Sequence, residues 1–500
     1  MIFISILILI VAIALPSLKK EISSLLITRI SAIIFIFSGV LALNALYIQS
    51  IGSGIGIYSG LFHVTIISQL LDGFLLILAS FILIAWPLIN SSYYNKVLNL
   101  KTLLIDGSSP LNNLSVTENT SKKLNFIGLY TPRTEYCLIV LFSGLGSSLL
   151  ISSADLLSMY LSIELQSFGL YILATLYRDY ESATASGLKY FLLGGLSSCF
   201  ILLGAGLIYT FTGLTNFESI YSLVSVLLDN NSFNLYLIAN IINGISLGFI
   251  FIFIGYLFKI AAAPLHSWSP DIYDETPTQV TIWLTIIPKI SILFLLLELI
   301  SGLSINSIID LPIYENFFIF SLFNNNIFFI NVTLSSVLKM LLLISSLFSL
   351  IIGTIVGLAQ TRIKRLLAYS TISHIGFILL ALAINTEQSI DSFIFYIIQY
   401  SITNLNIFLI IIALGFILNK EGIKMYSKNV LFYDFDIRFL YNFKGQFFAN
   451  PILSLSLIIC LFSMAGKKNA DLAFNYYKVY NLIITIKNVN IYWNLLNNII

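Results

Sequence analysis

Four ionisable side chains stand inside long apolar runs of this sequence: Glu164 in MYLSIELQSFGLYIL, Lys259 in FIFIGYLFKIAAAPLHSW, Lys289 in TIIPKISILF and Lys339 in SSVLKMLLLI. A charged side chain at the centre of a membrane costs about 2.5–3.5 kcal/mol on insertion scales, so a function is its default explanation. Lysine suits proton transfer because loss of water disfavours its charged form and a nearby carboxylate restores it. We therefore predict a proton relay through Glu164, Lys259 and Lys289.

A second explanation applies to lysines near helix ends, whose long side chains can carry the amine to the lipid headgroups. Lys339 lies early in its apolar run and fits both explanations, whereas Glu164 lies at the centre of its run. Asp72, in QLLDGFLLILAS, is a weaker candidate for the relay. Asp155 lies nine residues before Glu164, and we expect it to cap a helix or to mark the start of the path.

The run that contains Lys259 also contains Pro264 and His266. Proline interrupts the backbone hydrogen bonds of a helix, and interrupted helices at membrane depth line the ion sites of transporters. We therefore predict a broken helix at Pro264 and assign His266 to the site. A simple proline kink beside a hydrogen-bonded histidine is the alternative. Pro288, directly before Lys289, predicts a second local break.

These residues require a membrane-spanning scaffold. Of the 500 residues 58% are hydrophobic and 10% are charged, against about a quarter charged in soluble domains. Apolar runs near 20 residues, the length that crosses ~30 Å of hydrocarbon, recur along the chain. We predict an all-α polytopic membrane protein with twelve helices, at roughly 1–17, 30–49, 62–88, 135–152, 155–177, 187–212, 241–265, 278–301, 333–358, 366–385, 391–418 and 450–466.

The distribution of basic residues predicts the orientation. Eighteen of the 25 Lys and Arg residues fall in or beside loops that follow odd-numbered helices, and loops after even-numbered helices hold none. Basic loops stay in the compartment of synthesis, so the N-terminus is expected on the opposite side. The first run, MIFISILILIVAIALPSLKK, has no basic leader and is expected to be a retained span.

Composition also argues against other classes of site. A net charge of +2 without a basic stripe predicts no nucleic-acid partner. The three cysteines, Cys137, Cys199 and Cys460, are isolated, so neither an iron–sulfur cluster nor a zinc finger is expected. The three histidines are too scattered to predict a metal site.

Two longer runs carry a family resemblance. FKIAAAPLHSWSPDIYDETPTQVT at 258–281, followed by IIPKIS and by QTRIKRLLAYSTISHIGF at 360–377, closely resembles the antiporter-like subunits of the proton-pumping NADH:ubiquinone oxidoreductase, respiratory complex I. The SPDxYxxxPT pattern resembles subunit 2 more than its sister subunits, and the resemblance covers about 1–466. It implies an antiporter-like fold of fourteen helices, in which helices 4–8 and 9–13 form two inverted five-helix repeats.

The resemblance also implies roles. Glu164 matches the family's fifth-helix glutamate, Lys259 its broken-helix lysine and Lys289 its eighth-helix lysine. His266 matches the histidine beyond the break, and His374 lies in the motif of the tenth helix. No cofactor is expected on this subunit, because FMN, iron–sulfur clusters and ubiquinone belong to partner subunits. The expected partners are other membrane-arm subunits, including antiporter-like ones, and the lipid bilayer.

The predicted division is three N-terminal helices at 1–89, a polar loop at 90–134, a first repeat with proton half-channels at 135–301, an incomplete second repeat at 302–466 and an atypical tail at 467–500. After Gly466 the family would continue with a proline-containing break, a lysine and two helices. Here an Asn-, Tyr-, Lys- and Ile-rich tail follows, which resembles a translated A/T-rich intron or a frameshift. The second lysine's role is therefore not transferred to Lys467, Lys468 or Lys478.

The resemblance, with residues typical of A/T-rich codons, predicts a mitochondrially encoded subunit of the mitochondrial inner membrane that helps to translocate protons while its partners carry out redox chemistry. Two alternatives stay open. A cation/proton antiporter without electron transfer would use the same buried charges. A purely structural subunit would be indifferent to neutralising Glu164 or Lys259.

Overall fold

The computed structural model describes residues 1–14, 24–47, 54–84, 134–177, 181–229, 235–304, 334–425 and 437–464. The helices up to the centre of the chain are α1 Ile2–Ala14, α2 Ser24–Ala45, α3 Ile66–Ile84, α4 Thr134–Ile151, α5 Leu156–Thr175, α6 Glu181–Thr212, α7 Phe217–Asp229 and α8 Leu235–Ile260. They are followed by α9 Trp268–Glu275, α10 Thr278–Ser304, α11 Leu334–Leu358, α12 Ile363–Ile384, α13 Glu387–Met425, α14 Gln446–Ala449 and α15 Pro451–Met464. Strands β1 Ile55–Ile57 and β2 Phe62–Val64 form an antiparallel hairpin, and a 3-10 turn covers Leu440–Phe443.

Each of the twelve predicted helices corresponds to a helix of the structure. Within the described residues, nine helices are long and apolar enough to cross a membrane, and α1, α4 and α15 are shorter apolar helices. The predicted all-α polytopic architecture is therefore confirmed. The predicted tail at 467–500 and the predicted polar loop at 90–134, except Thr134 where α4 begins, lie outside the described residues.

The predicted start of the third helix at residue 62 is wrong, because Phe62–Val64 is strand β2. The turn between β1 and β2 contains Gly60, whose φ of 87° is one that glycine adopts without strain. Backbone hydrogen bonds join the hairpin to the turn before α5, and that turn to the turn before α7. The His63 amide donates to Ser152 O at 2.7 Å, and the Phe217 amide donates to Ala154 O at 3.0 Å. We call this end of the helix bundle, formed by residues 54–64, 152–154 and 213–217, the hairpin end.

Asp155 is the N-cap of α5. Its Oδ1 accepts a hydrogen bond from the Leu157 amide at 2.8 Å, and its Oδ2 accepts one from the Thr215 hydroxyl at 2.8 Å. Of the two roles expected for Asp155, the structure supports the cap, which also fixes the turn before α7. Helix α7 itself was not predicted, because its 13 residues mix polar and apolar side chains and are too few to form a span.

Helix α10 lies at the centre of the bundle. It packs against helices of both halves of the chain, namely α3, α4, α5, α7, α8, α11, α12 and α13. Of its most apolar window 94% is buried, against 33% in α6 and in α11, which therefore lie at the periphery.

Pro288 lies inside α10, and the helix continues through it. The predicted local break at Pro288 is therefore wrong. Proline is tolerated inside membrane helices where neighbouring helices surround the weakened turn, and α10 is enclosed in this way.

Candidate functional site

Lys259 and Glu164 form an ion pair between two helices. Lys259 lies in the last turn of α8, Glu164 lies at the middle of α5, and Lys259 Nζ is 3.4 Å from Glu164 Oε1. The side chains are only 7% and 15% exposed. Each charge is therefore compensated mainly by the other, and removing one partner of such a pair typically costs about 3–5 kcal/mol.

The helix that carries Lys259 is broken immediately after it. Helix α8 ends at Ile260, and Ala261 adopts a left-handed conformation with a φ of 65°. The Ala262 amide donates to Leu257 O at 2.9 Å, and Trp268 Nε1 donates to Phe258 O at 3.0 Å. The predicted broken helix is thus present: the interruption begins at Ala261, includes Pro264 and ends where α9 starts at Trp268. Lys259 consequently lies at a helix C-terminus, where the helix dipole favours a cation.

His266 lies within the break, and its described side-chain contacts are with residues other than the ion pair. Its Nδ1–H donates to Pro264 O at 3.2 Å, and its ring centroid is 6.3 Å from that of Tyr369. Because α8 does not continue, His266 does not share a helix face with Lys259, as an unbroken helix would require. Burial lowers the pKa of His266, and the hydrogen bond to Pro264 opposes this shift, so the imidazole is neutral at neutral pH.

Lys289 lies near the middle of α10 and is 2% exposed. Its Nζ donates a hydrogen bond to Thr371 Oγ1 on α12 at 3.1 Å and lies 5.5 Å from the ring centroid of Tyr273. Among the described residues no carboxylate lies within ion-pair distance of Lys289. A hydroxyl and an aromatic face therefore support its charge, whereas a carboxylate supports that of Lys259.

A small cavity borders Lys259 and the helix of Lys289. Its volume is about 20 Å³, and its lining includes Lys259, Gln166 and Pro288, the residue directly before Lys289. Such a volume is enough for one water molecule, which needs about 10–15 Å³. Gln166 Nε2 donates to Ser291 Oγ on α10 at 3.0 Å. Polar groups thus continue from the ion pair to the helix of Lys289.

His374 continues this line in the second half of the chain. It follows Thr371 by three residues on α12, so the two side chains lie on one face of the helix. His374 Nδ1 and the Tyr396 hydroxyl of α13 are hydrogen-bonded at 2.7 Å, and the Tyr400 ring centroid lies 5.7 Å from that of His374. Glu164 therefore contacts Lys259, and Lys289 contacts the helix that carries His374, whereas the side-chain contacts of His266 in the described part of the chain are with Pro264 and Tyr369.

A charged cluster at the other end of the bundle was not predicted. Asp274 of α9 is 2% exposed and binds both Arg362, the N-cap residue of α12, and Arg365 of α12, with Arg365 Nε at 3.0 Å. Asp271 binds Arg365 at 3.3 Å and Lys189 of α6 at 3.7 Å. We call this end the basic end. The acidic residues belong to the run SPDIYDE and the arginines to the run TRIKR. The opposite charges of these two distant runs are the sequence signal that could have predicted their contact.

Three further ionisable side chains lie inside the described helices. Lys339 is half-buried in the second turn of α11. Asp72 Oδ1 on α3 and Glu298 Oε2 on α10 are buried and have no hydrogen-bond partner in the described part of the chain. Glu298 is not among the site residues predicted from the sequence. Within the same described part, no group of three His, Cys, Asp or Glu residues could hold a metal ion.

Comparison with known proteins identifies the family. A family model described as NADH:quinone oxidoreductase/Mrp antiporter, TM, matches residues 153–323 and again residues 319–483. NADH-ubiquinone oxidoreductase chain 2 of Rhizopus oryzae is 47% identical over 466 residues, which are 93% of this chain and 76% of that relative. The protein of the same name from Marchantia polymorpha is 36% identical over 332 residues, 66% of this chain and 57% of that relative.

A solved structure shares the fold. A chain of respiratory complex I from Thermus thermophilus with bound Aureothin matches with a TM-score of 0.58 at 21% identity, over 100% of this chain and 86% of that chain. This match confirms the predicted antiporter-like fold. The family model and the relatives show that the chain belongs to the NADH:quinone oxidoreductase/Mrp antiporter family, within the group of NADH-ubiquinone oxidoreductase chain 2.

Proposed function

We propose that this chain carries protons through the membrane arm of NADH:ubiquinone oxidoreductase, along the line from Glu164 and Lys259 to Lys289. The observation that carries the proposal is the ion pair of Glu164 and Lys259, buried at the point where α8 is broken. Buried charges in membrane spans are costly and are found on ion and proton pathways. A structural role alone would not require that Lys259 pairs with a carboxylate while Lys289 contacts a hydroxyl group instead.

In this mechanism the position of Glu164 controls the proton on Lys259. Two unit charges about 4 Å apart attract each other by about 4 kcal/mol at an effective dielectric constant of 20. A small displacement of Glu164 removes much of that attraction, and the Lys259 ammonium then loses its proton to water in the adjacent cavity. The N–H bond of Lys259 breaks, a water molecule carries the proton, and the amine of Lys289 accepts it.

The stations beyond Lys289 come from α12 and α13. Thr371 accepts the hydrogen bond of Lys289, and His374 lies one turn further along the same face of α12. We assign His374 to the continuation of the path into the second half of the chain. His266, which lies outside this line, is a secondary candidate at the edge of the break.

The reaction that drives this transfer belongs to partner subunits in the proposal. FMN, iron–sulfur clusters and ubiquinone would lie on those partners, and electron transfer from NADH to ubiquinone would displace charges next to this chain. The partners would include other membrane-arm subunits of the antiporter-like type. The relatives from Rhizopus oryzae and Marchantia polymorpha carry the name NADH-ubiquinone oxidoreductase chain 2, which supports a location in the mitochondrial inner membrane.

The test is to neutralise either member of the ion pair in the intact complex. Glu164→Gln removes the charge and keeps the shape, and Lys259→Met removes the proton carrier and keeps the length. We expect both variants to assemble and to pump fewer protons per electron in reconstituted vesicles. Lys189→Met, which removes a 56% exposed lysine from the basic end, is the control. A wild-type proton-to-electron ratio in both variants would contradict the relay and favour the structural alternative.

A further inference from the structure

Glu298 is a buried carboxylate on the same helix as Lys289. Helix α10 has 27 residues and is about 40 Å long at 1.5 Å per residue, enough to cross the membrane. Lys289 lies about 16 Å from its first residue, near the middle of the membrane. Glu298 lies about 14 Å further along and about 9 Å before the last residue, Ser304. One helix therefore carries a lysine at mid-depth and an acid towards one surface.

That surface is the hairpin end. Helix α10 begins next to the basic end, where Lys364 Nζ donates to Thr276 O at 2.7 Å, two residues before α10 starts. Near its last turn α10 packs against α7, which begins at the hairpin end. The ring of Tyr221 on α7 fills the space beside Gly302, where a Cβ atom would lie 2.2 Å from Tyr221 Cε2. Glu298 thus lies between Lys289 and the surface opposite the basic cluster.

The surroundings of Glu298 keep it available for a proton. Its Oε2 is buried and has no hydrogen-bond partner among the described residues, so its charge is not committed to a cap or an ion pair there. Tyr221 on α7 is the neighbouring titratable group. Burial raises the pKa of Tyr221 and the negative charge of Glu298 raises it further, so the phenol stays protonated beside the carboxylate.

We propose that Glu298 is the group through which protons from Lys289 leave the first half of the chain at the hairpin end. This inference rests on the proposed relay and adds the step in which the proton is released at the hairpin end. Nothing in the ion pair of Glu164 and Lys259 requires it. Among the described spans, Glu298 is the only carboxylate on α10, the helix that already holds the central lysine.

The transfer balances with water as the carrier. The Lys289 ammonium gives a proton to a water molecule, and its N–H bond breaks. Water relays the proton over the ~14 Å to Glu298, because direct contact is impossible at that separation. An O–H bond forms on the carboxylate, and it breaks again when water at the hairpin end accepts the proton. Glu298 returns to its charged form, and no oxidant or reductant is consumed.

The alternative is that Glu298 has a structural role beside Tyr221. The two explanations differ in what happens to the proton on Glu298 during turnover. A release group changes its protonation while NADH is oxidised, and its carboxyl group is needed for pumping. A structural group keeps one protonation state, and an amide of the same shape can replace it.

The experiment compares variants of the intact complex in sealed vesicles, with the proton-to-electron ratio and the NADH oxidation rate with the gradient collapsed as readouts. Glu298→Gln should assemble, keep the rate without a gradient and lose as large a share of pumped protons as Lys289→Met. Glu298→Asp should restore most of the pumping. Glu218→Gln is the control, because Glu218 is an exposed acid at the start of α7, on the same surface. It should pump as the wild type does.

Infrared difference spectroscopy of the same complex during turnover supplies a second readout. We expect the band of a protonated carboxyl group to appear, to shift in Glu298→Asp and to vanish in Glu298→Gln. If Glu298→Gln fails to assemble, the shifted band and retained pumping of Glu298→Asp decide the question. Wild-type pumping by Glu298→Gln, or an unshifted band in Glu298→Asp, would overturn the release role. If Lys289→Met still loses pumping in that case, the relay stands without Glu298. If Lys259→Met and Lys289→Met also pump normally, both proposals fall.

Discussion

Lys289 of α10 donates a hydrogen bond of 3.1 Å to Thr371 of α12, and this contact joins the two halves of the chain at membrane depth. Its donor lies on the central helix and its acceptor lies one turn from His374. The contact therefore links the buried lysine of the first half to the polar residues of the second half. The contribution of this hydrogen bond to stability and to pumping can be tested by substituting Thr371.

Replacing Thr371 by valine should weaken pumping and stability together. The substitution keeps the side-chain shape but leaves a buried Lys289 donor without its acceptor, which costs about 1–3 kcal/mol. We expect a lower melting temperature of the solubilised complex and a lower proton-to-electron ratio. Thr371→Ser, which keeps the hydroxyl, is the matched control and should stay near the wild type in both measurements. Equal losses in the two variants would mean that the methyl group, not the hydrogen bond, matters.

Lys289 should matter more than Lys339. Lys289 is 2% exposed at the centre of α10, whereas Lys339 is half-buried in the second turn of α11 and can extend its amine towards the headgroups. Alanine variants of each lysine, compared by the proton-to-electron ratio at matched assembly, measure the difference. A defect in Lys339→Ala as large as that in Lys289→Ala would show that the central lysine has been assigned wrongly.

Asp274 should be the strongest stabilising charge of the basic end. Asp274→Asn leaves Arg362 and Arg365, whose side chains are 44% and 34% exposed, without the buried carboxylate they share, and a hydrogen bond to a charged group contributes about 1.5–3 kcal/mol. Asp271→Asn removes a 40% exposed partner and should cost only about 0–1 kcal/mol. Thermal unfolding of the solubilised complex distinguishes the two variants. Similar melting temperatures for both would show that the buried position of Asp274 carries no extra stabilisation.

Two glycines of α6 offer a matched pair for helix packing. A Cβ atom on Gly204 would lie 2.5 Å from Gly248 O of α8, so Gly204→Ala should push apart α6 and the helix that carries Lys259. A Cβ atom on Gly206 would meet nothing within 4 Å. Gly206→Ala should be neutral or stabilising by up to about 1 kcal/mol through helix propensity. The proton-to-electron ratio and the melting temperature should both fall in Gly204→Ala alone, and equal behaviour of the variants would contradict the close α6–α8 contact.

The sequence predicted the charges better than their partners. Glu164, Lys259 and Lys289 are visible because a charge inside an apolar run is a local signal, and the structure places each of them inside a helix. Thr371 and Gln166 are ordinary polar residues, and only the packing of α10 against α12 and α5 makes them partners. Glu298 carries the same local signal as Lys289, but it lies three residues before the predicted end of its helix, where a charge is expected at the membrane surface.

The position at which α8 ends could not be predicted from the sequence either. Pro264 is a strong local signal and predicts an interruption, yet the helix already ends at Ile260, four residues earlier, and Ala261 is left-handed. A left-handed alanine costs energy that only the surrounding structure can offset. The hydrogen bond from Trp268 Nε1 to Phe258 O is part of that structure, and sequence spacing does not predict it.

Helix α10 is also shared by the two halves of the chain. It packs against α5 and α8 of the first half and against α11, α12 and α13 of the second. A sliding of α12 by even part of a helical turn would change the surroundings of Lys289, and through Pro288 it would reach the cavity beside Lys259. A rearrangement of helices in one half would therefore change the surroundings of charged residues that contact the other half.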